Sequence, residues 1–267
     1  MQYQKKAIIS GNHIRILEVI GMYIGYGYES KKRNFNKSLE GEKENKSLRR
    51  AQDNLVQTIN CNVNKHSKLI TLTFKEPITE RTDAIKKFKV FQKYFKRYYN
   101  EKLKYCGVTE RQKKRGKKEG NEGAWHFHLV VFNNQYLDIQ QLDKLWIYGH
   151  ADYQKIDSVD NLGRYLGKYL SKQKTDIKIN EKAVIKSQGL KKPLTVYDSQ
   201  IPYRLENAPT TFKNSYDHII EETGEVINFT YSEYIIPKDT TNINKQVVVD
   251  ALNLFGDIVK IKPLRRN

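Results

Sequence analysis

Two histidines one residue apart, His126 and His128 in the segment WHFHLVVF, have the types and spacing that metal chemistry needs. The apolar surroundings predict a β-strand. Because strand side chains alternate between faces, both imidazoles project from the same face. Neutral imidazole is a common ligand for divalent metals. A histidine pair in a strand can also be purely structural, so a metal site requires a further ligand.

A carboxylate beside the two imidazoles favours a hard ion such as Mg²⁺ or Mn²⁺. Glu110 in VTERQ is the best candidate, because a hairpin between the two segments brings residues near 110 back toward the histidines. The strand register does not follow from the sequence. Three other carboxylates therefore remain candidates: Glu119, Glu122 and Asp157. The alternative interpretation of Glu110 is a solvated carboxylate beside Arg111.

The stretch GRYLGKYLSK contains Tyr-x-x-Lys twice, as Tyr165 with Lys168 and Tyr169 with Lys172. At 100° per residue of an α-helix, Leu166 and Leu170 fall on an apolar stripe and the lysines on a basic stripe, with the tyrosines between them. A structural interpretation has the tyrosines packing at the edge of the core beside snorkelling lysines.

A chemical interpretation uses the same residues. A phenol of pKa about 10 is a poor nucleophile at neutral pH, but beside a cation and a metal-polarised phosphodiester it can attack phosphorus. Lys168 and Lys172 would stabilise the phenolate and the charge that develops on phosphorus. Tyr165 and Tyr169 are four residues apart on one helix face, which would allow two successive attacks at one site.

The elements that must position these side chains predict an α+β fold. A helical stripe begins at Leu48, KLITLTF predicts a strand at 68–74, and residues 83–104 predict an amphipathic helix with six basic residues between 86 and 97. LKYCGVTERQ and WHFHLVVF form a hairpin, IQQLDKLW a short helix and YGHADYQKID a further strand. Ser158 is placed to cap the tyrosine-bearing helix. The sheet is expected to be central, antiparallel and flanked by helices.

Composition restricts the partners. The 267 residues carry 48 Lys and Arg against 30 Asp and Glu, a formal charge of +18 that favours a polyanion such as nucleic acid. No apolar run approaches the roughly 20 residues of a membrane span. Cys61 and Cys106 are too few for a disulfide scaffold and suit a reducing cytosol. With no export signal evident, the protein is expected in the cytoplasm.

Three regions follow from the pattern. Residues 1–47 are expected to be an N-terminal basic and polar extension, with 29–47 an exposed connection, and 48–175 to be the catalytic domain. Residues 176–267 are a C-terminal region without an assigned role, in which SQGLKKP predicts a turn and EETGEVINFTYSEY a hairpin. KQVVVDALNLFGDIVK is apolar enough for an ordered element.

Taken together, the motifs resemble the HUH endonucleases, specifically the rolling-circle replication initiators of small plasmids and single-stranded DNA phages. LITLTF is similar to the family's first strand motif, HFHLVVF to its histidine motif and YLGKYLSK to its tyrosine motif, in the family's order. The resemblance covers roughly residues 48–175 and implies an RRM-like or palm-like sheet.

This resemblance implies that His126 and His128 bind the metal, with Glu110 completing the site as in the plasmid branch. Tyr169 or Tyr165 would nick one strand of origin DNA, remain joined to the 5′ phosphate and leave a 3′ hydroxyl primer. Both tyrosines are kept, which favours a two-tyrosine enzyme, with Tyr169 preferred if only one acts. Host helicase and DNA polymerase are the partners that the resemblance implies.

The run KKRGKK at the hairpin tip is expected to contact phosphates, alone or as one DNA channel with the basic helix at 86–97. Its residues are Lys113, Lys114, Arg115, Lys117 and Lys118. A solvated loop is the other interpretation. Two other functions remain open: a non-catalytic, basic nucleic-acid-binding protein, and an HUH transposase or relaxase. Motif order favours the initiator, because conjugative relaxases usually carry the tyrosine ahead of the histidines.

Overall fold

The computed structural model describes residues 5–20, 38–112, 123–155, 165–167, 169–170, 182, 184–198, 201, 211–219 and 226–235. The chain divides into two compact units, one of residues 34–192 and the other of residues 1–33 with 193–267. Several predictions fall outside the described residues, namely those for the loop 113–118, Glu119, Glu122, Asp157, Ser158, Lys168, Lys172 and the segment 245–260.

The larger unit is built on a five-stranded antiparallel sheet with the strand order β6-β3-β5-β4-β7. Its strands are β3 (Lys68–Phe74), β4 (Tyr105–Gln112), β5 (Ala124–Val131), β6 (Gly149–Lys155) and β7 (Val184–Lys186). The helices described in this unit are α1 (Ser38–Asn62), α2 (Arg81–Tyr99) and α3 (Ile139–Leu145). The predicted α+β class and the hairpin that carries the histidines are confirmed, and the architecture is consistent with an HUH or RRM-like fold.

Alternation along the strands gives this sheet two different faces. On one face, Leu72 and Phe127 pack against Phe88, Phe91 and the other buried residues of α2 and α3. The opposite face carries Leu69 and Val130, which are buried against α1. Two hydrophobic cores therefore sandwich the sheet, and the face that a strand residue occupies decides which helix it meets.

Helix α2 follows the predicted amphipathic pattern. Its buried positions are Ala84, Phe88, Phe91 and Phe95, which recur at three- and four-residue spacing. The helix ends at Tyr99 because Asn100 adopts the left-handed conformation, with φ 52°. It therefore stops five residues before the predicted end at residue 104.

Helix α1 begins at Ser38, well before the apolar stripe that starts at Leu48. The prediction that residues 29–47 form a connection is therefore wrong for residues 38–47, which are helical. Glu and Lys dominate this stretch and have good helix propensity, so a helix is favoured here without any apolar stripe. The last turns of α1 bury Leu55 and Ile59 against the sheet.

The second unit is a five-stranded antiparallel sheet formed by both ends of the chain. Its strand order is β8-β1-β2-β10-β9, with β1 (Lys5–Ser10), β2 (His13–Ile20), β8 (Leu194–Tyr197), β9 (Phe212–Ile219) and β10 (Val226–Ile235). Ala7, Ile14, Ile16, Val196 and Tyr234 belong to its core. The sequence analysis treated the two terminal regions separately, whereas their strands pair with each other.

The predicted C-terminal hairpin exists, but its first strand ends at Ile219, before the segment EETGEVINFTYSEY begins. β9 has the polar sequence FKNSYDHI, whose weak apolar pattern hides it from sequence analysis. SQGLKKP does form a turn, and Gly189 has φ 75°. Within the described residues, no helix has the length and apolar character needed to cross a membrane.

Candidate active site

The histidines lie on the α1 face of the sheet, on strand β5. Phe127 between them points into the opposite core, so His126 and His128 project together. In the antiparallel pairing of β4 with β5, Glu110 stands directly opposite His126. The hairpin register that the sequence left open therefore brings Glu110 to the histidine face.

Glu110 and His128 are in direct contact. The Glu110 Oε2 to His128 Nε2 distance is 2.9 Å, and both side chains are largely buried. On the other side of the ring, His128 Nδ1 lies 3.3 Å from the hydroxyl oxygen of Thr71 on β3. Both ring nitrogens are thus engaged, which fixes the orientation of the imidazole.

His126 is held as a neutral imidazole. Burial lowers the pKa of His126 below its ordinary value, the nearby His128 lowers that pKa further, and Glu110 opposes the shift. A neutral imidazole keeps a lone pair free for a metal ion, whereas a protonated one does not. At neutral pH His126 is therefore in the form that a ligand requires.

The two tyrosines meet beside this cluster. Residues 165–167 and 169–170 are helical, and the Tyr165 and Tyr169 hydroxyl oxygens share a hydrogen bond of 2.8 Å. The Tyr169 ring stacks on the imidazole of His128, with ring centroids 4.0 Å apart and an interplanar angle of 12°. One of the two predicted nucleophiles thus contacts one of the predicted metal ligands.

The surroundings of Tyr169 keep its phenol protonated. Burial, followed by the hydrogen bond and negative charge of Tyr165 and the charge of Glu110, holds the pKa of Tyr169 well above its usual range. The phenolate therefore needs added positive charge to form at neutral pH. A cation at Glu110 would reduce the part of this shift that the carboxylate causes.

Apolar anchors fix the height of the tyrosines above the sheet. Leu166 and Leu170 are fully buried in the core that also contains Leu55 and Ile59 of α1. The side-chain amide of Gln52 donates to the backbone carbonyl of Gly167 at 3.2 Å. The leucines face the core while the tyrosines reach over the polar end of the sheet, which matches the stripes predicted from the sequence.

Gly107 sets the spacing between the two strands of the hairpin. A Cβ atom at this position would lie 2.1 Å from the backbone oxygen of His128 and 2.8 Å from the Cα of Leu129. Those contacts are with backbone atoms, which cannot turn aside as a side chain can. The close approach of β4 to β5 at His128 therefore depends on glycine.

The donor set fits a divalent cation. Two ligands at adjacent corners of an octahedral Mg²⁺ site lie about 3 Å apart, which the 2.9 Å contact between Glu110 and His128 reproduces. His126 supplies a neutral imidazole on the same face. Among the described residues no group of three His, Cys, Asp or Glu side chains is arranged to hold a metal. The third donor would therefore have to move toward the other two.

The predicted DNA channel is wrong in one respect. The basic residues of α2 lie on a helix that packs on the opposite face of the sheet from His126, His128 and the tyrosines, since Phe88 of α2 stacks on Phe127 at 4.8 Å. They cannot line one channel with the tyrosine site. The pattern along α2 shows which side of the helix is apolar but not which sheet face that side covers.

Sequence analysis also missed two residues. Thr71 interrupts the apolar strand LITLTF at a position that alternation places on the histidine face, and this was the available signal. Gly107 lies within the strand YCGVTERQ, where an isolated glycine indicates close backbone approach. Both act on His128, through its ring and through its backbone respectively.

Residues 67–174 match the family model of replication-associated proteins that is described by its ORF2 and gene 2 protein members. No curated protein and no solved structure gives a significant match to the chain. The matched segment includes Glu110, both histidines and both tyrosines.

Proposed function

Because residues 67–174 form a Rep-type replication domain, we propose that the chain initiates rolling-circle replication by nicking one strand of DNA with a tyrosine. The contact that carries this proposal is the stacking of Tyr169 on His128, whose Nε2 contacts Glu110. A nucleophile, a metal-ligand pair and a second tyrosine hydroxyl meet at one end of one sheet face.

In the proposed reaction the tyrosine oxygen bonds to the scissile phosphorus and the bond from phosphorus to the 3′ oxygen breaks. The 3′ oxygen takes up a proton and becomes the primer hydroxyl, while the 5′ phosphate stays joined to the protein. The proton of Tyr169 leaves through the Tyr165 hydroxyl, which is 2.8 Å away and more exposed to solvent. Lys168 and Lys172 would stabilise the developing negative charge.

His126, His128 and Glu110 would hold Mg²⁺ or Mn²⁺ in this proposal. The bound ion would polarise a phosphate oxygen and offset the charge of Glu110. Thr71 keeps His128 oriented by its contact with Nδ1, as outer partners of metal-binding histidines commonly do. Origin DNA, host helicase and polymerase, and the host cytoplasm complete the setting that the replication role implies.

Either tyrosine can serve as the nucleophile, because their hydroxyl oxygens lie within one hydrogen bond of each other. Successive attacks by Tyr165 and Tyr169 would permit nicking at the start of a replication round and joining at its end. If only one acts, Tyr169 is the stronger candidate, since it stacks on His128 while Tyr165 does not.

A second function, non-catalytic DNA binding, is favoured by one observation. Glu110 and His128 already satisfy each other without a metal, as a structural pair would. Such a protein would bind DNA in a salt-sensitive manner but would form no covalent product.

The deciding experiment incubates the protein with labelled single-stranded fragments of its own replicon, with Mn²⁺ or EDTA, and detects adducts that survive boiling in detergent. Wild type is compared with Tyr165→Phe, Tyr169→Phe and the double variant. We expect metal-dependent adducts that disappear in the double variant. Loss in one single variant would identify one nucleophile. DNA binding without any adduct from any fragment would replace nicking with the binding function.

A further inference from the structure

The solvent side of α2 is a second cationic surface on the larger unit, on the sheet face opposite the tyrosines. We propose that it binds the phosphate backbone of duplex DNA while the tyrosine site engages a single strand. The α2 surface consists of Lys86, Lys89, Lys93, Lys96 and Arg97, all exposed. The inference rests on the proposed function only in making that duplex part of an origin.

The distribution of charge on α2 departs from that of an ordinary solvated helix. Between Ala84 and Asn100 there are six basic residues and no acidic ones. Lys89 lies three residues from Lys86 and four from Lys93, which places like charges side by side and destabilises a helix. Solvated faces usually intersperse acidic residues with basic ones, so this face carries a repulsion that a polyanion would relieve.

Internal contacts account for only part of this charge. Lys86 pairs with Asp83 at 2.9 Å, and Lys87 lies over the ring of Tyr148, 4.4 Å from its centroid. Lys96 and Arg97 are in the last turn, where the helix dipole favours cations. Lys89 and Lys93 form no ion pair within the described part of the chain, so they are the residues that the proposal must explain.

The shape of the surface favours a duplex over a single strand. Lys86 to Arg97 spans about 16 Å along a straight, convex helix, and a duplex presents a phosphate charge about every 1.7 Å of its axis. Proteins that hold single strands use a groove lined with stacking aromatic rings. Exposed Tyr94 and Tyr98 accompany the lysines, and tyrosine hydroxyls commonly donate to phosphates.

A membrane surface, the other common partner of a basic amphipathic helix, does not fit α2. Membrane binding buries the apolar side of such a helix in lipid. Here that side is already occupied, because Phe88, Phe91 and Phe95 are buried in the protein core. Only the cationic side is available, and it offers no apolar insertion.

The test measures binding of the full-length protein to a 20-base-pair duplex of unrelated sequence across a salt series. Phosphate contacts carry no sequence information, so this probe is sufficient. The variant Lys89→Gln/Lys93→Gln is compared with Lys65→Gln/Lys192→Gln, which removes the same charge from exposed lysines on loops of the same unit. Thermal unfolding verifies that both variants fold.

Loss of two phosphate contacts should reduce the slope of log K against log salt by about 1.8. If the two contacts are purely electrostatic, this corresponds to a loss of up to about 60-fold in affinity at 0.1 M salt. The control pair should change the slope by less than half as much. Equal losses in both pairs, no loss in the α2 pair, or a loss seen only with the matching single strand would each overturn the proposal.

The same samples separate this inference from the nicking proposal. Duplex binding requires no covalent step, so it would remain measurable if no adduct ever formed. Conversely, the α2 variant should still form adducts with a short single strand at the wild-type rate, because Lys89 and Lys93 lie on the opposite face from Tyr169. A matching loss of adduct formation would place these lysines at the tyrosine site and contradict a separate surface.

Discussion

At the scale of single residues, Glu110 connects the metal ligands with the nucleophile. Its carboxylate contacts His128 Nε2 at 2.9 Å, raises the pKa of Tyr169 and opposes the depressed pKa of His126. One negative charge thus affects three of the four side chains on which the proposed chemistry depends. Its neutralisation by a bound cation would act on all of them together.

Replacing Glu110 with Gln tests this role. The substitution keeps the size of the side chain but removes the charge, so we expect Mn²⁺ affinity to fall at least ten-fold by calorimetry, in the range that altered metal-site partners produce. Glu76→Gln, at an exposed loop position after β3, supplies the control. Unchanged Mn²⁺ affinity in the Glu110 variant would remove this carboxylate from the metal site.

Thr71 offers a second test at this scale. Thr71→Val preserves the β-branched shape and removes the hydroxyl that lies 3.3 Å from His128 Nδ1. We expect about ten-fold weaker Mn²⁺ binding and a changed tautomer equilibrium of His128 by ¹⁵N NMR. Thr71→Ser should restore both. The matched control is Thr73→Val on the same strand face, where the hydroxyl donates to the carbonyl of His150. Equal effects at both threonines would indicate general strand damage.

At the scale of elements, the hairpin of β4 and β5 is the part of the fold that the site requires most. It fixes Glu110 opposite His126, and it can do so only if the two backbones approach closely at Gly107. A change in this spacing should therefore disturb stability and the metal site at the same time.

The variant Gly107→Ala introduces a Cβ 2.1 Å from the backbone oxygen of His128. We expect a loss of about 1–3 kcal/mol in the free energy of unfolding, as overpacking typically costs, together with weaker Mn²⁺ binding. Urea denaturation provides the measurement. Gly167→Ala is the matched comparison, since nothing lies within 4 Å of its added Cβ. Because Gly167 is helical, Ala should stabilise the protein there by up to about 1 kcal/mol.

The opposite order of stabilities for these two glycine variants would show that the backbone spacing at Gly107 is not constrained. A destabilised Gly107→Ala protein with unchanged Mn²⁺ affinity would separate the hairpin spacing from the metal ligands.

Local patterns predicted the elements of the larger unit better than they predicted how those elements meet. Alternation in WHFHLVVF was sufficient to put His126 and His128 on one face, and helical spacing to put Tyr165 beside Tyr169. The register that selects Glu110 depends on backbone pairing, which side-chain types specify only weakly. For α2, the pattern identified its apolar side but not the sheet face it covers, because that choice is made by tertiary packing.

Non-local pairing was the least predictable feature. Strand β1 pairs with β8, and the Lys5 backbone donates to Asp198 across 193 positions. Neither segment has a pattern that identifies its partner, and β7 is only three residues long. Sequence separation of this size leaves no local signal, so the sheet formed by both chain ends could be found only from the structure.

At the scale of the whole molecule, the positive charge is strongly concentrated in one unit. Residues 34–192 contain 34 Lys and Arg against 18 Asp and Glu, whereas the remaining residues contain 14 against 12. The larger unit therefore has a formal charge of +16 and the smaller unit +2. Long-range attraction of DNA should arise almost entirely from the unit that contains the tyrosines and α2.

This asymmetry makes a prediction for a fragment of residues 34–192, which contains both cores of its sheet and every strand that pairs within it. Because nonspecific DNA binding depends on phosphate neutralisation, the fragment should bind an unrelated duplex with the same salt slope as the full-length protein. Near-ultraviolet circular dichroism would verify that the fragment packs its aromatic core. A slope smaller by more than about 1 in a folded fragment would mean that the sheet of the chain ends contacts DNA despite its small charge. In that case its exposed aromatic residues Phe212 and Tyr216 would be the first positions to substitute.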